Sequence, residues 1–383
     1  MVSLHKRASG TDIPYSAILP LAACTILVVL CLYLNFRPPG RIHRVVKIGL
    51  VAPFEGRYRY TGYDVIYAVR MVLRQVNAGG AVGGYGVELI AYDDGADPVM
   101  AVEQARKLAL DPQVVAVIGH FREETTMAAA GSYAHASLPL IAPGVLDPAL
   151  TSAAHPLFRM GPDAGVLANE IFTCVEQLCP VSQAALLTDG GPLGIALQEQ
   201  AKVHGVTLRP VVSSADDDWL AQVLDADVAA VLCDTTPVEA GEVAAALRAA
   251  GWKGTLVGGP ELAATDFTAV AGQAAQGAIF VTPWPFPEPA INDDVDAFIR
   301  DYHQASGGLP PGPLAIPAYE ATWVVLEALE RQHAWPGEPG RAGMAAALSD
   351  VRRRGLLGEI TFAADRSWNA APLHCVKVTV TSR

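Results

Sequence analysis

From residue 45 onward, short runs rich in β-branched residues alternate with longer amphipathic segments, and the alternation runs through the chain twice. The first series reads VVKIGLVA, a helix from Gly62 to Ala78, VELIAYD, a helix from Pro98 to Leu110, VVAVIGH, a helix near 125–136, and LPLIAP. The second starts near residue 163 and carries AALLTD, VTLRPVV, VAAVLCD, GTLVGG and GAIFVTP. Helical segments separate these runs, as in VEAGEVAAALRAAG, where apolar positions recur at three and four and Gly251 supplies a stop. Strand-helix-strand alternation specifies parallel sheets with right-handed crossovers, so two doubly wound α/β lobes are expected. A chain of 383 residues also exceeds what one hydrophobic core usually organises. The 51% hydrophobic and 17% charged composition suits buried parallel strands under Ala-rich helices.

Pro- and Gly-rich joints fall at Met160-Gly161-Pro162, at Thr282-Pro283-Trp284-Pro285-Phe286-Pro287 and at 307–313, and the first two are expected lobe crossings. Helices near 291–305, 317–333 and 340–353 follow, then strands GEITFA and HCVKVTV. In open α/β sheets a ligand sits beyond the carboxyl ends of the strands, where strand order reverses. Two such edges facing each other make an interlobe cleft, for which hinge closure is a common motion.

The net charge is −12, but residues 1–47 carry six Lys and Arg against Asp12, a balance of +5, which leaves −17 for the remainder. A surface of that sign repels phosphates, so nucleic acid is set aside as a partner. Residues 16–36, SAILPLAACTILVVLCLYLNF, are uncharged and apolar over about the length a bilayer-spanning helix needs. An uncleaved anchor within residues 1–44 is the reading preferred on length. Leu21-Ala22-Ala23-Cys24 also resembles a lipoprotein box, in which Cys24 would carry the lipid. Either way the chain is expected at the cell membrane, single-pass or lipid-anchored. Arg37, Arg41, Arg44 and Lys47 follow the span and only Lys6 and Arg7 precede it, which by the positive-inside rule favours an internal domain. Placement on the extracytoplasmic side rests instead on the kind of domain that follows. Cys174, Cys179, Cys233 and Cys375 lie outside the span with no zinc-like spacing, and Cys174 and Cys179 are read either as a bridge or as two buried thiols.

The motifs Lys47-Ile48-Gly49-Leu50-Val51-Ala52-Pro53, Gly62, Val76-Asn77-Ala78-Gly79-Gly80 through Gly84, and Ala91-Tyr92-Asp93-Asp94 occur in that order and spacing. Val117-Ile118-Gly119-His120, Leu140-Ile141-Ala142-Pro143, Ala249-Ala250-Gly251 with Gly259-Pro260-Glu261, and Tyr319 extend the pattern. Over about residues 45–380 the chain thereby resembles the type I periplasmic binding proteins, specifically the leucine/isoleucine/valine-binding branch that serves ABC transporters. The glycine-rich stretch 79–86 follows a helix and precedes a strand, the reverse of a phosphate loop.

The resemblance implies lobe one at 45–160 and 285–355, and lobe two at 161–284 and 356–383. It implies a small-molecule ligand, an ABC transporter permease as partner, and no cofactor. Family members that bind amino acids hold the ligand carboxylate with backbone amides and hydroxyls on the loops after the third and fourth strands. In this chain those loops read Phe121-Arg122-Glu123-Glu124-Thr125-Thr126 and Pro143-Gly144-Val145-Leu146-Asp147. Glu123 stands where the family has serine and Leu146 where it has threonine. Thr125 and Thr126 remain as hydroxyl donors at a helix start, and Gly144 belongs to the second loop. Glu261 falls on the family's acid that pairs with the ligand ammonium, while Leu193 and Thr236 replace its two cleft tyrosines. Glu55 occupies a position that usually carries Ser or Thr. Tyr60, Thr61 and Trp284 complete the expected ligand-binding set, which is rich in carboxylates and so points to an amino acid or related amino-bearing compound.

No G-x-S-x-G, H-E-x-x-H or Walker sequence is present, which argues against an enzyme, and His120 is the one histidine expected near the cleft edge. Asp93-Asp94 and Asp216-Asp217-Asp218 lack calcium-loop spacing and are read as turn and helix-start acids. The runner-up is a ligand-sensing receptor module that would signal through a separate partner.

Overall fold

The strand β1 (Arg44–Ala52) is central because both of its faces are covered: Val46, Ile48, Leu50 and Ala52 enter one core, and Val51 enters the core on the opposite face. In a computed structural model of the protein, residues 44–80, 82–151, 156–283, 292–333, 340–368 and 371–380 are described. The 16–36 span and Trp284 lie outside them. Among the described residues, no helix is long and apolar enough to cross a membrane.

After β1 come α1 (Arg59–Ala78), β2 (Tyr85–Asp93), α2 (Pro98–Leu110), β3 (Val114–Gly119), α3 (Glu123–His135), β4 (Leu140–Pro143) and β5 (Leu157–Met160). Their strands form a parallel sheet in the order β2-β1-β3-β4-β5. The chain then crosses at Gly161-Pro162 and continues with α4 (Ala164–Leu178), β6 (Gln183–Thr188), α5 (Pro192–Val203), β7 (Thr207–Val212), α6 (Trp219–Asp225) and β8 (Ala230–Asp234). α7 (Pro237–Ala249), β9 (Thr255–Gly258), α8 (Thr265–Ala271) and β10 (Ile279–Thr282) complete that series. The return brings α9 (Asp293–Ser306), α10 (Ala315–His333), α11 (Arg341–Ser349), a hairpin of β11 (Arg352–Gly355) and β12 (Gly358–Thr361), and finally β13 (His374–Lys377).

The second sheet has the order β13-β10-β9-β8-β6-β7, parallel except for β13, which runs antiparallel to β10. Each sheet is packed on both faces, giving four apolar cores in all. That is the condition under which parallel sheets occur.

Three sequence expectations need correcting. Residues from 356 onward do not all return to lobe two, because Ile360 and Trp368 are buried in the first lobe's core with Phe362 and Ala371 against it. Leu373 packs on the second lobe's core, so that crossing falls between 371 and 373. The end of the helix expected over 340–353 is a strand, as Arg352–Gly355 pair with Gly358–Thr361. Cys174 is bridged to Cys375, not to Cys179. A helical residue and one five positions on point to different sides, whereas α4 lies against β13 and brings Cys375 within a Cα separation of 5.9 Å. Cys179 and Cys233 are free thiols.

Asp64, buried on α1, fastens the start of α10 to that helix. Its carboxylate accepts the N–H groups of Gly312 at 2.6 Å and Leu314 at 2.7 Å, and the Tyr302 hydroxyl donates to its backbone carbonyl at 2.9 Å. Burial nevertheless pushes its carboxyl up to about 7. Asp64→Ala strands two buried amides, so a loss of about 2–4 kcal/mol is expected in urea unfolding, with Asp64→Asn intermediate. Cys375→Ser releases a crosslink between residues 201 apart. A loss of roughly 2–4 kcal/mol is expected, and reductant should lower the wild-type midpoint to that of the variant while leaving the variant unchanged.

Candidate functional site

Because the strands of each sheet run parallel, every loop that follows a strand emerges on one edge, and the two edges face each other across a cavity of about 190 Å³. The strand order reverses at β1/β3 in one sheet and at β6/β8 in the other. The first lobe supplies Tyr58, Tyr60 and Thr61 after β1, Phe121 to Glu124 after β3, and Gly144 to Leu146 after β4. The second supplies Asp189 to Leu193 after β6, Asp234 to Thr236 at the end of β8, and Pro260 with Glu261 after β9. Met160, Gly161 and Leu314 close the sides.

The loop after β3 is held from beneath. His120 Nδ1 lies 2.8 Å from Asp94 Oδ2 and its Nε2 lies 2.9 Å from the Tyr133 hydroxyl, with all three residues buried. With Asp94 as acceptor, a neutral imidazole donates through Nδ1 and receives the Tyr133 hydroxyl proton at Nε2. His120 is thus a support behind the cleft, not a residue of its edge. It delivers Arg122, whose guanidinium carbon sits 3.8 Å from the Tyr58 ring centroid and whose Nη2 lies 3.3 Å from Glu124. Gly144 turns the neighbouring loop with φ of 80°, a conformation a side chain would strain.

Acids dominate the polar lining. Glu123 Oε1 accepts the Leu146 N–H at 2.7 Å, which joins the two first-lobe loops, and burial raises its carboxyl. Asp234 Oδ2 accepts the Thr188 hydroxyl at 2.9 Å, and the Gly194 amide at the start of α5 also donates to this carboxylate; burial raises it too. Glu261 is pushed up to about 7, by burial first and then by the neighbouring Asp234 and Glu123 charges, with Arg122 opposing. Burial, followed by the Glu261 charge, drives the Tyr60 phenol well above its ordinary range.

Of the residues expected from sequence, Tyr60, Thr61, Glu123, Gly144, Leu146, Leu193, Thr236 and Glu261 line this cavity. Glu55 does not: it is exposed ahead of the short turn Gly56–Tyr58, because Asp93 Oδ1 takes the Phe54 N–H at 2.8 Å and turns the chain outward there. Thr125 and Thr126 do not either. α3 begins at Glu123, so these two lie in its first turn, fully buried against the lobe, and the Thr125 hydroxyl bonds back to the Arg122 carbonyl. The Thr236 hydroxyl is already engaged as the helix cap of α7, where it donates to Glu239 Oε2 at 2.8 Å.

Sequence reasoning missed Asp234, Asp189 and Tyr58 as lining residues. Asp234 ends the run VAAVLCD, and a polar residue at the carboxyl end of a strand next to the order reversal was the available signal. An ion pair bridges the lobes: Arg57 Nη2 lies 2.9 Å from Glu239 Oε1.

The profile of the periplasmic binding protein family matches residues 45–382. The leucine-, isoleucine-, valine-, threonine- and alanine-binding protein of Pseudomonas aeruginosa is 27% identical over 304 residues, which covers 75% of this chain and 78% of that protein. The structure of a leucine-binding protein, LivK, from Thermotoga maritima superposes with a TM-score of 0.78 at 20% identity, covering 87% of this chain and 95% of that one. A solute-binding protein of an ABC transporter from Rhodopseudomonas palustris, solved with 3,4-dihydroxybenzoic acid, gives 0.77 at 20% identity, covering 88% and 93%.

The raised Glu261 carboxyl fixes the sign of a pH effect on the ligand-free protein. Its folded pKa of about 7 exceeds that of an unfolded glutamate, about 4.3. The folded state therefore binds more protons between those values, and stability contributed by this group falls as pH rises through that window. Asp64 acts in the same window, so the comparison with a variant isolates Glu261. Glu261→Gln should match the wild-type thermal midpoint near pH 4 and exceed it near pH 8.

Proposed function

The chain belongs to the periplasmic binding protein family, in its branched-chain amino-acid-binding branch, and from that premise we propose that it is an extracytoplasmic solute-binding protein. It captures a small amino acid or related amino-bearing compound for an ABC transporter. The observation that carries this reading is Glu261, a carboxylate sunk in a cavity between two facing strand-end edges and suited to an ammonium group. Tyr60, Thr61, Glu123, Gly144, Leu146 and Leu193 are the proposed neighbours of the ligand. Phe121, Val145 and Leu314 supply apolar wall. The relatives are binding proteins, not enzymes, and the role assigned here is capture and delivery to a permease.

The Cys174–Cys375 bridge supports an oxidising compartment, since disulfides persist outside the reducing cytosol. The proposed tether is the apolar segment 16–36, as an uncleaved anchor or through a lipid on Cys24.

A thermal-shift screen of the full-length protein in detergent, over aliphatic amino acids, amides, polyamines and aromatic acids, tests the reading. A stabilising amino-bearing ligand is expected, and Glu261→Ala should weaken it by at least about tenfold, the loss of a buried charge-assisted hydrogen bond. Aromatic acids binding equally well to wild type and Glu261→Ala would overturn it.

A further inference from the structure

The cleft carries more negative charge than a single ammonium group requires. Among the described residues, Glu123, Glu124, Asp189, Asp234 and Glu261 line it against one cation, Arg122. That cation is already committed, to Glu124 at 3.3 Å and to the face of Tyr58. The donors that position the inner acids are all neutral: the Leu146 amide for Glu123, and the Thr188 hydroxyl and Gly194 amide for Asp234. Such bonds place a carboxylate without cancelling its charge.

Asp234 and Glu261 stand side by side. Asp234 ends β8 and Glu261 sits in the turn that follows the adjacent strand β9, the two strands being paired at Cys233 and Gly258, and the Asp234 charge raises the cost of ionising Glu261. The packing protects the arrangement. A side chain at Gly194 would put its Cβ 2.7 Å from Asp234 Oδ2 and 2.0 Å from Thr188 Oγ1, so the approach of this acid to α5 requires glycine. Leu146, Leu193, Val145 and Leu314 add aliphatic surface to the lining, beside the aromatic Tyr58, Tyr60 and Phe121. A neutral zwitterion such as leucine would satisfy Glu261 and leave Asp234 and Glu123 as uncompensated like charges.

We infer that the cleft selects an aliphatic ligand with two basic nitrogens, Glu261 receiving one and Asp234 the other, with Glu123 adding to the field from the opposite lobe. The inference rests on the binding-protein reading above and narrows its ligand class. The shared chemistry is a diamine on a short aliphatic chain, with a carboxylate as in a basic amino acid or without one as in a free diamine.

Three probes separate the contributions. Lysine and norleucine differ by the second amine, while lysine and cadaverine differ by the carboxylate. Titration calorimetry on the full-length protein in detergent should show lysine or cadaverine binding at least about tenfold tighter than norleucine, the scale of one retained charge pair. Asp234→Asn keeps an acceptor for Thr188 and should erase that preference by weakening lysine and cadaverine at least about tenfold, with no loss of norleucine affinity. Norleucine or leucine binding as tightly as lysine would overturn the inference and leave the binding-protein reading standing. Equal losses for lysine and norleucine in Asp234→Asn would also overturn it, reducing Asp234 to a helix cap. No binding by any of the three probes or by leucine would overturn both. Whether lysine or cadaverine binds more tightly tells which source supplies the diamine.

Discussion

Parallel pairing is the constraint on which the rest of the molecule depends. A parallel strand has to be followed by a crossover that returns to the starting edge, so its loops divide into two sets on opposite edges. The loops after β1, β3 and β4 thereby converge, as do those after β6, β8 and β9, and residues as distant in sequence as Tyr60 and Glu261 come to share one cavity. The buried hydrogen bonds serve this convergence. Asp64 pins the entry to α10, and with it Leu314, while the Asp94–His120–Tyr133 chain fixes the floor under Arg122.

Within the cavity the dominant physics is the cost of holding carboxylates out of water. Burial is the leading cause that raises Glu123, Asp234 and Glu261, and a nearby acid adds to each: Glu124 to the first, Asp189 to the second, Asp234 and Glu123 to the third. A cation brought among these carboxylates would offset that cost, which is a form of selection by charge.

Much of this architecture is legible in the sequence because burial on both faces leaves a strong mark: VVAVIG and AALLT are almost wholly apolar, as a strand covered on both sides has to be. β5, Leu157–Met160, escaped notice because it is four residues long and contains the buried Arg159, which donates to the Gly161 carbonyl. The first strand of the hairpin, Arg352–Gly355, escaped for a similar reason, since it is largely arginine and extends a helical pattern, whereas its partner was legible in GEITFA. Individual cleft residues were harder. Glu261 was found by its place in a motif, but the outward turn at Glu55 depends on Asp93, some forty residues away, and the inward rotation of Thr125 and Thr126 depends on a helix start two residues earlier than periodicity indicated. The partner of Cys174 lies 201 residues on, at a separation where local spacing has nothing to say.

Glu239 divides its two oxygens between tasks of different reach. Oε2 serves the helix start within its own lobe, through Thr236, and Oε1 alone reaches Arg57 in the other. Parting the lobes would consequently leave α7 capped, so each half can swing as a rigid unit. The arginine is 55% exposed, and an ion pair in that setting is worth about 0–1 kcal/mol. A clasp that weak adds little to the cost of parting the two halves, so the contacts a ligand makes with both edges would outweigh it.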